Sequence, residues 1–412
     1  MNIFSVRYLS VFIVSILVNF VFVTSALSDV LSGEKFTQND AVLVVDSNNQ
    51  IVYEWRADEL MIPASLAKII TSYLAIRKWH LVHQFKTEFY FEGSQLWVKG
   101  YGDPYLVSEE IDDIVLKLQE HDDLDSVQSI HIDNNYFAVS EVPGSSSASD
   151  PYNAPVSAVS ANFNTVSLKK KGGELISGEQ QTPLTELAKK LASNQWNITD
   201  LQKPTRINLI SVSNSQQQFA EILASKLGLN NVAIRISQTL PETANLFYQH
   251  QNSNSLETVL AGTMKYSNNF IANQVFIKLA EEQVLPPLNF EEAQAYAKDM
   301  LKREFSWSQF HLDDGAGLSR KSKVSARQLN DVLFNLRKQY YLFNKVMFEK
   351  ELSVIAYVKT GTLNGVSNYA GYLNTPKEQY RFVFMFNRST PYRYRNALLE
   401  QLAQELFRLE SL

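Results

Sequence analysis

Apolar residues recur at helical spacing in some blocks of this chain and at strand spacing in others, and the change from one period to the other lays out the architecture. Ile62, Leu66, Ile69, Ile70, Tyr73, Leu74 and Ile76 return at helical intervals, which predicts an amphipathic helix over 64–79 with Pro63 at its entrance. Phe270, Ile271, Val275, Phe276 and Leu279 mark a second helix, and Leu398, Leu402 and Leu406 a C-terminal one. A run of alternating character predicts a strand at 353–362, and further strands are read at 41–46 and 51–55, turning at Asn48-Asn49, and at 369–373 and 381–386, which pair naturally with it. These combine into a five-stranded antiparallel sheet with flanking helices, an α+β fold.

The intervening stretch reads mostly as strands and turns. A hairpin is expected from 87–91 and 95–99 about Glu92-Gly93-Ser94, helical segments at 114–118 and 216–227, and a strand at 232–236. Asp150-Pro151 and Pro183 punctuate the rest. The expected organisation is a domain formed by residues 27–85 and 241–412, split by a mostly β inserted region over 86–240.

The chemistry begins at Ser65 and Lys68, three residues apart at the start of the first helix. Residues i and i+3 share a helix face. In the first turn, free backbone N–H groups and the positive dipole end favour a developing oxyanion. A serine needs a base beside it, and a lysine serves as that base only where burial or a second cation lowers its pKa. The surroundings of Lys68 are apolar, and Lys359-Thr360-Gly361-Thr362 supplies another cation. By itself the tetrad is more often an ordinary helix start with a surface lysine.

Two further motifs change that weighting. Ser267-Asn268-Asn269 precedes the second helix; a helix N-cap explains it well, and the chemical alternative gives Ser267 a proton relay and Asn269 a hydrogen bond to a substrate peptide. Lys359 to Thr362 closes a strand, where Gly361 lets another backbone approach and Lys359, Thr360 and Thr362 together suit a carboxylate. A plain strand-ending turn is the alternative.

Ser-x-x-Lys, Ser-x-Asn and Lys-Thr-Gly in this order resemble the signature of penicillin-binding proteins and serine β-lactamases. The chain further resembles the D-alanyl-D-alanine carboxypeptidase/endopeptidase family, the class C low-molecular-mass penicillin-binding proteins. The resemblance rests on Asp313-Asp314-Gly315-Ala316-Gly317-Leu318-Ser319-Arg320, on the block from Gly100 to Leu106, on His131 to Phe137, and on Tyr152 to Ser160. It covers the chain from about Ala41 to Phe386. Asn268 stands where the family usually has Asp, Ala316 where it has Ser, and Tyr101 where it has Gly.

The resemblance implies a β-lactamase/transpeptidase-like domain with two domains inserted after the nucleophile helix, the third reduced here because the insertion is short. It implies a serine DD-peptidase acting on peptidoglycan stem peptides as carboxypeptidase, and on crosslinks between D-Ala and the diamino acid as endopeptidase. Ser65, Lys68 and Ser267 would be catalytic, and Asn269, Lys359, Thr360, Gly361 and Thr362 would bind substrate. β-Lactam antibiotics would be covalent inhibitors.

Composition agrees. At 412 residues and 45% hydrophobic the chain buries more than one core, and its net charge of −5, without a basic stripe, argues against nucleic acid. Lys169-Lys170-Lys171 before Gly172-Gly173 reads as a solvated hairpin turn. With no cysteine there is no disulfide or thiolate chemistry, and no cofactor or metal is expected. Arg7, the apolar stretch 8–23 and Thr24-Ser25-Ala26 read as a secretory signal peptide over 1–26, implying a periplasmic protein. An uncleaved anchor with loose membrane association is the alternative. A serine β-lactamase and a non-catalytic penicillin-binding wall protein are the competing functions; no Glu-x-x-x-Asn block stands where class A β-lactamases carry theirs. Oligomeric state is not legible.

Overall fold

A computed structural model describes residues 36–146, 149–195, 203–347, 354–391 and 393–410; the signal peptide expected over 1–26 lies outside them. In chain order the elements are β1 (Asp40–Val45), β2 (Ile51–Trp55), a 3-10 turn (Ala64–Leu66) running into α1 (Ala67–Trp79), β3 (Gln84–Glu92), β4 (Gln95–Gly100), α2 (Ser108–Leu118) and β5 (Ser129–Asp133). Next come β6 (Thr165–Lys171), β7 (Glu174–Ser177), α3 (Glu186–Gln195), β8 (Thr205–Asn208), α4 (Val212–Leu227), β9 (Ala233–Gln238) and β10 (Asn245–Ser255). The chain continues through α5 (Leu256–Tyr266), α6 (Asn269–Lys278), α7 (Phe290–Phe305), α8 (Ala326–Asn335), β11 (Asn344–Met347), β12 (Ile355–Leu363), β13 (Val366–Asn374), β14 (Gln379–Phe386) and α9 (Tyr394–Glu410). The described residues fall into two compact units, one within 1–70, 307–311 and 320–412, and the other within 71–306 and 312–319.

The first unit is built on an antiparallel sheet of order β11-β12-β13-β14-β1-β2. The five expected strands are present, and the short β11 joins as a sixth at the β12 edge. Alternate residues of β14 explain how the sheet is covered. Tyr380, Phe382, Phe384 and Phe386 share one face and pack with Leu398, Leu399, Leu402, Ala403 and Leu406 of α9, each fully buried large side chain contributing roughly 1.5–3 kcal/mol. On the other face Tyr372 reaches α8, its hydroxyl donating to the Leu333 carbonyl at 2.7 Å. Helix α8 is started by a reciprocal capping box between Ser325 and Gln328.

The second unit holds two sheets. In the larger, of order β10-β3-β4-β5-β9, the β3–β4 hairpin turns at Gly93, and β4, β5 and β9 run parallel. Its core joins Phe89, Val98, Ile130 and Ile132 to Ile111 and Ile114 of α2 and Phe219 and Leu223 of α4. The smaller sheet, β7-β6-β8, packs Val166, Leu168 and Ile207 against Leu187 and Leu191 of α3. Of the elements that the sequence reading left out, two are instructive. Strand β10 is polar along most of its length, so its sequence lacks an apolar alternation, and its long pairing with β3 holds it in place. Helix α3 was not expected, although Leu187, Ala188, Leu191 and Ala192 bury one helical face.

Candidate active site

The turn that carries Ser65 is strained. Ala64, fully buried, has φ +48°, a left-handed conformation that costs an L-residue about 1–2 kcal/mol. Two asparagines hold this turn against the sheet. Asn368, fully buried on β13, donates through Nδ2 to the Ile62 and Pro63 carbonyls at 2.8 and 2.9 Å, while its Oδ1 accepts from Phe386 N at 2.9 Å. The Oδ1 of Asn387 accepts from Ile62 N at 2.7 Å. Buried amides that satisfy several backbone groups at once fix geometry strongly, because breaking them leaves those groups unpaired.

Ser65 and Lys68 then meet as the spacing requires: Lys68 Nζ donates to Ser65 Oγ at 3.0 Å, with Lys68 fully buried and Ser65 partly exposed. The end of β12 comes to the same turn. A β-carbon placed on Gly361 would lie 2.7 Å from the Pro63 carbonyl oxygen and 3.2 Å from Leu66 N, so only glycine allows this approach. Side chains alternate along the strand. Lys359 therefore shares the face of Gly361, directed toward the nucleophile turn, and Thr360 and Thr362 share the opposite face. Strand β11 pairs with β12 no further than Val358, so among the described residues the outer edge of Lys359 to Leu363 has no strand neighbour.

Lys359 is fully buried, its Nζ donating to the Thr360 carbonyl at 2.9 Å. Burial, and after it the guanidinium of Arg395, push its ammonium down to about 7. In the unfolded chain Lys359 keeps its proton up to about pH 10.4, the ordinary lysine value, so between pH 7 and that point the unfolded state binds the extra proton and stability rises with pH. Lys359→Met removes this contribution. Urea denaturation at pH 7.5 and 9.5 should therefore show a smaller gain with pH, or a larger loss, in the variant than in the wild type; equal slopes would refute the lowered pKa.

In the second unit, Ser267 ends α5 in a left-handed conformation (φ +53°) and Asn268 caps α6, its side chain accepting from Ile271 N at 3.1 Å. The cap thus falls on the middle residue of the motif. An aspartate there would accept the same bond, which gives Asn268 a structural reason to stand in its place. Asn269 donates to the Tyr152 carbonyl at 3.0 Å. All three residues line a cavity of about 500 Å³ with Tyr105, Tyr152, Phe163 and Arg206. The loop from Asp313 to Ser319 is held by Asp314, fully buried, whose carboxylate accepts from the backbone N–H groups of Ala316, Leu318 and Ser319. Asn273 Oδ1 accepts from Gly315 N and Ala316 N. Among the described residues, no group of three or more His, Asp or Glu side chains is placed to hold a metal ion.

Residues 23–354 match the family model described as the D-Ala-D-Ala carboxypeptidase 3 (S13) family. The chain belongs to that family, and it is a serine peptidase of the kind that acts on D-Ala-D-Ala in peptidoglycan. Its fold is similar to penicillin binding protein 4 (dacB) of Haemophilus influenzae, with TM-score 0.71 and 20% identity over 93% of this chain and 98% of that one. The same protein complexed with a novel β-lactam matches with TM-score 0.66 and 21% identity, over the same shares of the two chains. A predatory endopeptidase of Bdellovibrio bacteriovorus, in complex with an immunity protein, matches with TM-score 0.50 and 16% identity over 90% of this chain and 92% of that one. No curated protein matches the chain.

The residues that sequence reasoning missed are the supports of the site. Asn368, Asn387 and Arg395 belong to no motif and act from elements distant in sequence, so only the register of β13 against β12 and the placement of α9 reveal them.

Proposed function

We propose that Ser65 attacks the carbonyl between the two D-alanines of a peptidoglycan stem peptide while Lys68 takes its proton. A tetrahedral oxyanion forms, stabilised by the backbone N–H groups of Ser65 and Thr362. As it collapses, the D-Ala–D-Ala amide bond breaks, Ser267 passes a proton to the departing amine, and an ester to Ser65 remains. Water then hydrolyses this acyl-enzyme, releasing the shortened stem and regenerating the serine. With the stem lying along the outer edge of β12, Thr360 and Thr362 donate to the terminal carboxylate from one side of that edge, Lys359 contributes positive charge from the other, and Asn269 holds the stem backbone. The observation that carries this reading is the 3.0 Å contact of Lys68 Nζ with Ser65 Oγ at a fully buried lysine, which, in its neutral amine form, can accept the serine proton.

Endopeptidase action uses the same machinery, since a crosslink also presents a D-Ala carbonyl to Ser65 and differs only beyond the scissile bond. β-Lactams imitate the terminal dipeptide and would acylate Ser65, in keeping with the β-lactam complex of the Haemophilus protein. The reading places the mature enzyme in the periplasm, exported by the apolar N-terminus. Intact mass after incubation with benzylpenicillin should rise by one penicilloyl group, with the adduct absent from Ser65→Ala. Purified peptidoglycan should lose pentapeptides and, where endopeptidase action operates, crosslinked dimers. No adduct on the wild type, or one that survives Ser65→Ala, would refute the assignment.

A further inference from the structure

The first turn of α9 brings Arg395 to the substrate-binding strand. Its Nη1 donates to Thr362 Oγ1 at 2.9 Å and to the Asn368 carbonyl at 3.2 Å, and its guanidinium lies over the Tyr369 ring at 5.4 Å. Asn368 pairs with Gly361 across the β12–β13 ladder, and Thr362 with Ser367. One cation therefore grips the residue proposed to meet the substrate carboxylate and the strand that pins the nucleophile turn.

The hydrogen bond has a direction, and the direction matters. A hydroxyl has one proton to donate and two lone pairs to accept with. With Arg395 occupying a lone pair of Thr362, the hydroxyl proton is directed away from the guanidinium, and its donor strength rises because a charged donor polarises the oxygen. Thr362 is exposed, so this oriented donor is accessible to a ligand. The charge of Arg395 is also permanent. Lys359, by contrast, titrates near neutral pH because it is buried, so at pH 7 and above it is an incomplete source of positive charge for an anion. Arginine stays protonated throughout.

We infer that Arg395 is a positioning and specificity-determining residue: acting through Thr362, it builds the subsite that selects substrates ending in a free α-carboxylate. The inference rests on the DD-peptidase reading and goes beyond it, because Arg395 lies outside every motif and outside the strand that carries Lys359 to Thr362. The contact of Lys68 with Ser65 is made within one helical turn, and Arg395 is not one of its two partners. It takes away the orientation of the Thr362 hydroxyl and the fixed charge beside it.

The test compares an acylated D-Ala-D-Ala peptide with its C-terminal amide, which is neutral and otherwise alike. Binding of each to the Ser65→Ala protein by calorimetry, and hydrolysis by proteins with intact Ser65, are measured with Arg395 present and in Arg395→Gln and Arg395→Lys, with thermal melting to confirm folding. In Arg395→Gln, affinity for the acid should fall about 10- to 100-fold, the range expected for loss of a charge-assisted contact. Affinity for the amide should change less than about threefold, and Arg395→Lys should recover part of the preference. In hydrolysis the loss should appear in KM more than in kcat. An equal loss for acid and amide, or no loss for the acid, would overturn the inference. Because calorimetry uses a protein without the nucleophile, a failure of the DD-peptidase reading shows separately, as wild-type protein that hydrolyses neither peptide.

Discussion

Ser65→Ala should lower kcat/KM for a D-Ala-D-Ala peptide by about 10⁴-fold or more, the scale on which deletion of an activated nucleophile acts in other serine hydrolases. Lys68→Met should cost nearly as much, because the serine then meets substrate with no base to take its proton. The two residues act as one device, so the double variant should be hardly worse than either single one. Release of D-alanine over time measures all three proteins, and thermal melting separates chemistry from folding. The Lys68 variant is the sharper test. Lys68 is fully buried with its Nζ 3.0 Å from Ser65 Oγ, and methionine keeps most of its volume while removing the amine. A Lys68→Met protein that retains a tenth of wild-type turnover would show that another group takes the proton.

The chemistry of this site was legible in the sequence to the extent that it is local. Ser65 and Lys68 are bound to meet once a helix forms, since three residues make almost one turn. The end of β12 was legible because Lys359-Thr360-Gly361-Thr362 closes a clear alternating run. The sheet of the first unit was also legible, because its strands are short runs rich in apolar, β-branched and aromatic residues, as strands buried on both faces are. What was not legible is long-range. The amide of Asn368 is an unremarkable polar residue in a strand until the β13 register places it under the Ile62 and Pro63 carbonyls. Arg395 reads as an ordinary helix residue until α9 packs on the sheet. Strand β10, from Asn245 to Ser255, lacks the apolar alternation that announces a strand, since most of its side chains face solvent and its order comes from backbone pairing with β3. The strain at Ala64 has no sequence signal, because alanine is not a residue that advertises a left-handed conformation.

Gly361→Val should be the most damaging substitution that removes no functional group. A β-carbon at this position would meet the Pro63 carbonyl oxygen at 2.7 Å and Leu66 N at 3.2 Å. Both are backbone atoms of the turn that carries Ser65, which two asparagines hold to the sheet, so neither can yield cheaply. The strand must move off the turn instead. Overpacking of this kind costs roughly 1–3 kcal/mol of stability, and a displacement of about 1 Å between reacting groups costs on the order of 10²-fold in rate. Gly361→Ala should show the same loss in milder form. The nearby Gly365 provides the control: it has φ +68° and nothing within 4 Å of the point a methyl group would occupy, so Gly365→Ala should lose about 1 kcal/mol through its backbone and leave acylation by benzylpenicillin nearly unchanged. Melting temperatures and acylation rates of the three variants give a two-dimensional comparison. If Gly361→Ala and Gly365→Ala lose stability alike and both acylate at the wild-type rate, the close approach of β12 to the nucleophile turn is not what sets the geometry of the reaction. If acylation collapses only at Gly361, the glycine of Lys-Thr-Gly is there to bring the substrate-binding strand within reach of Ser65.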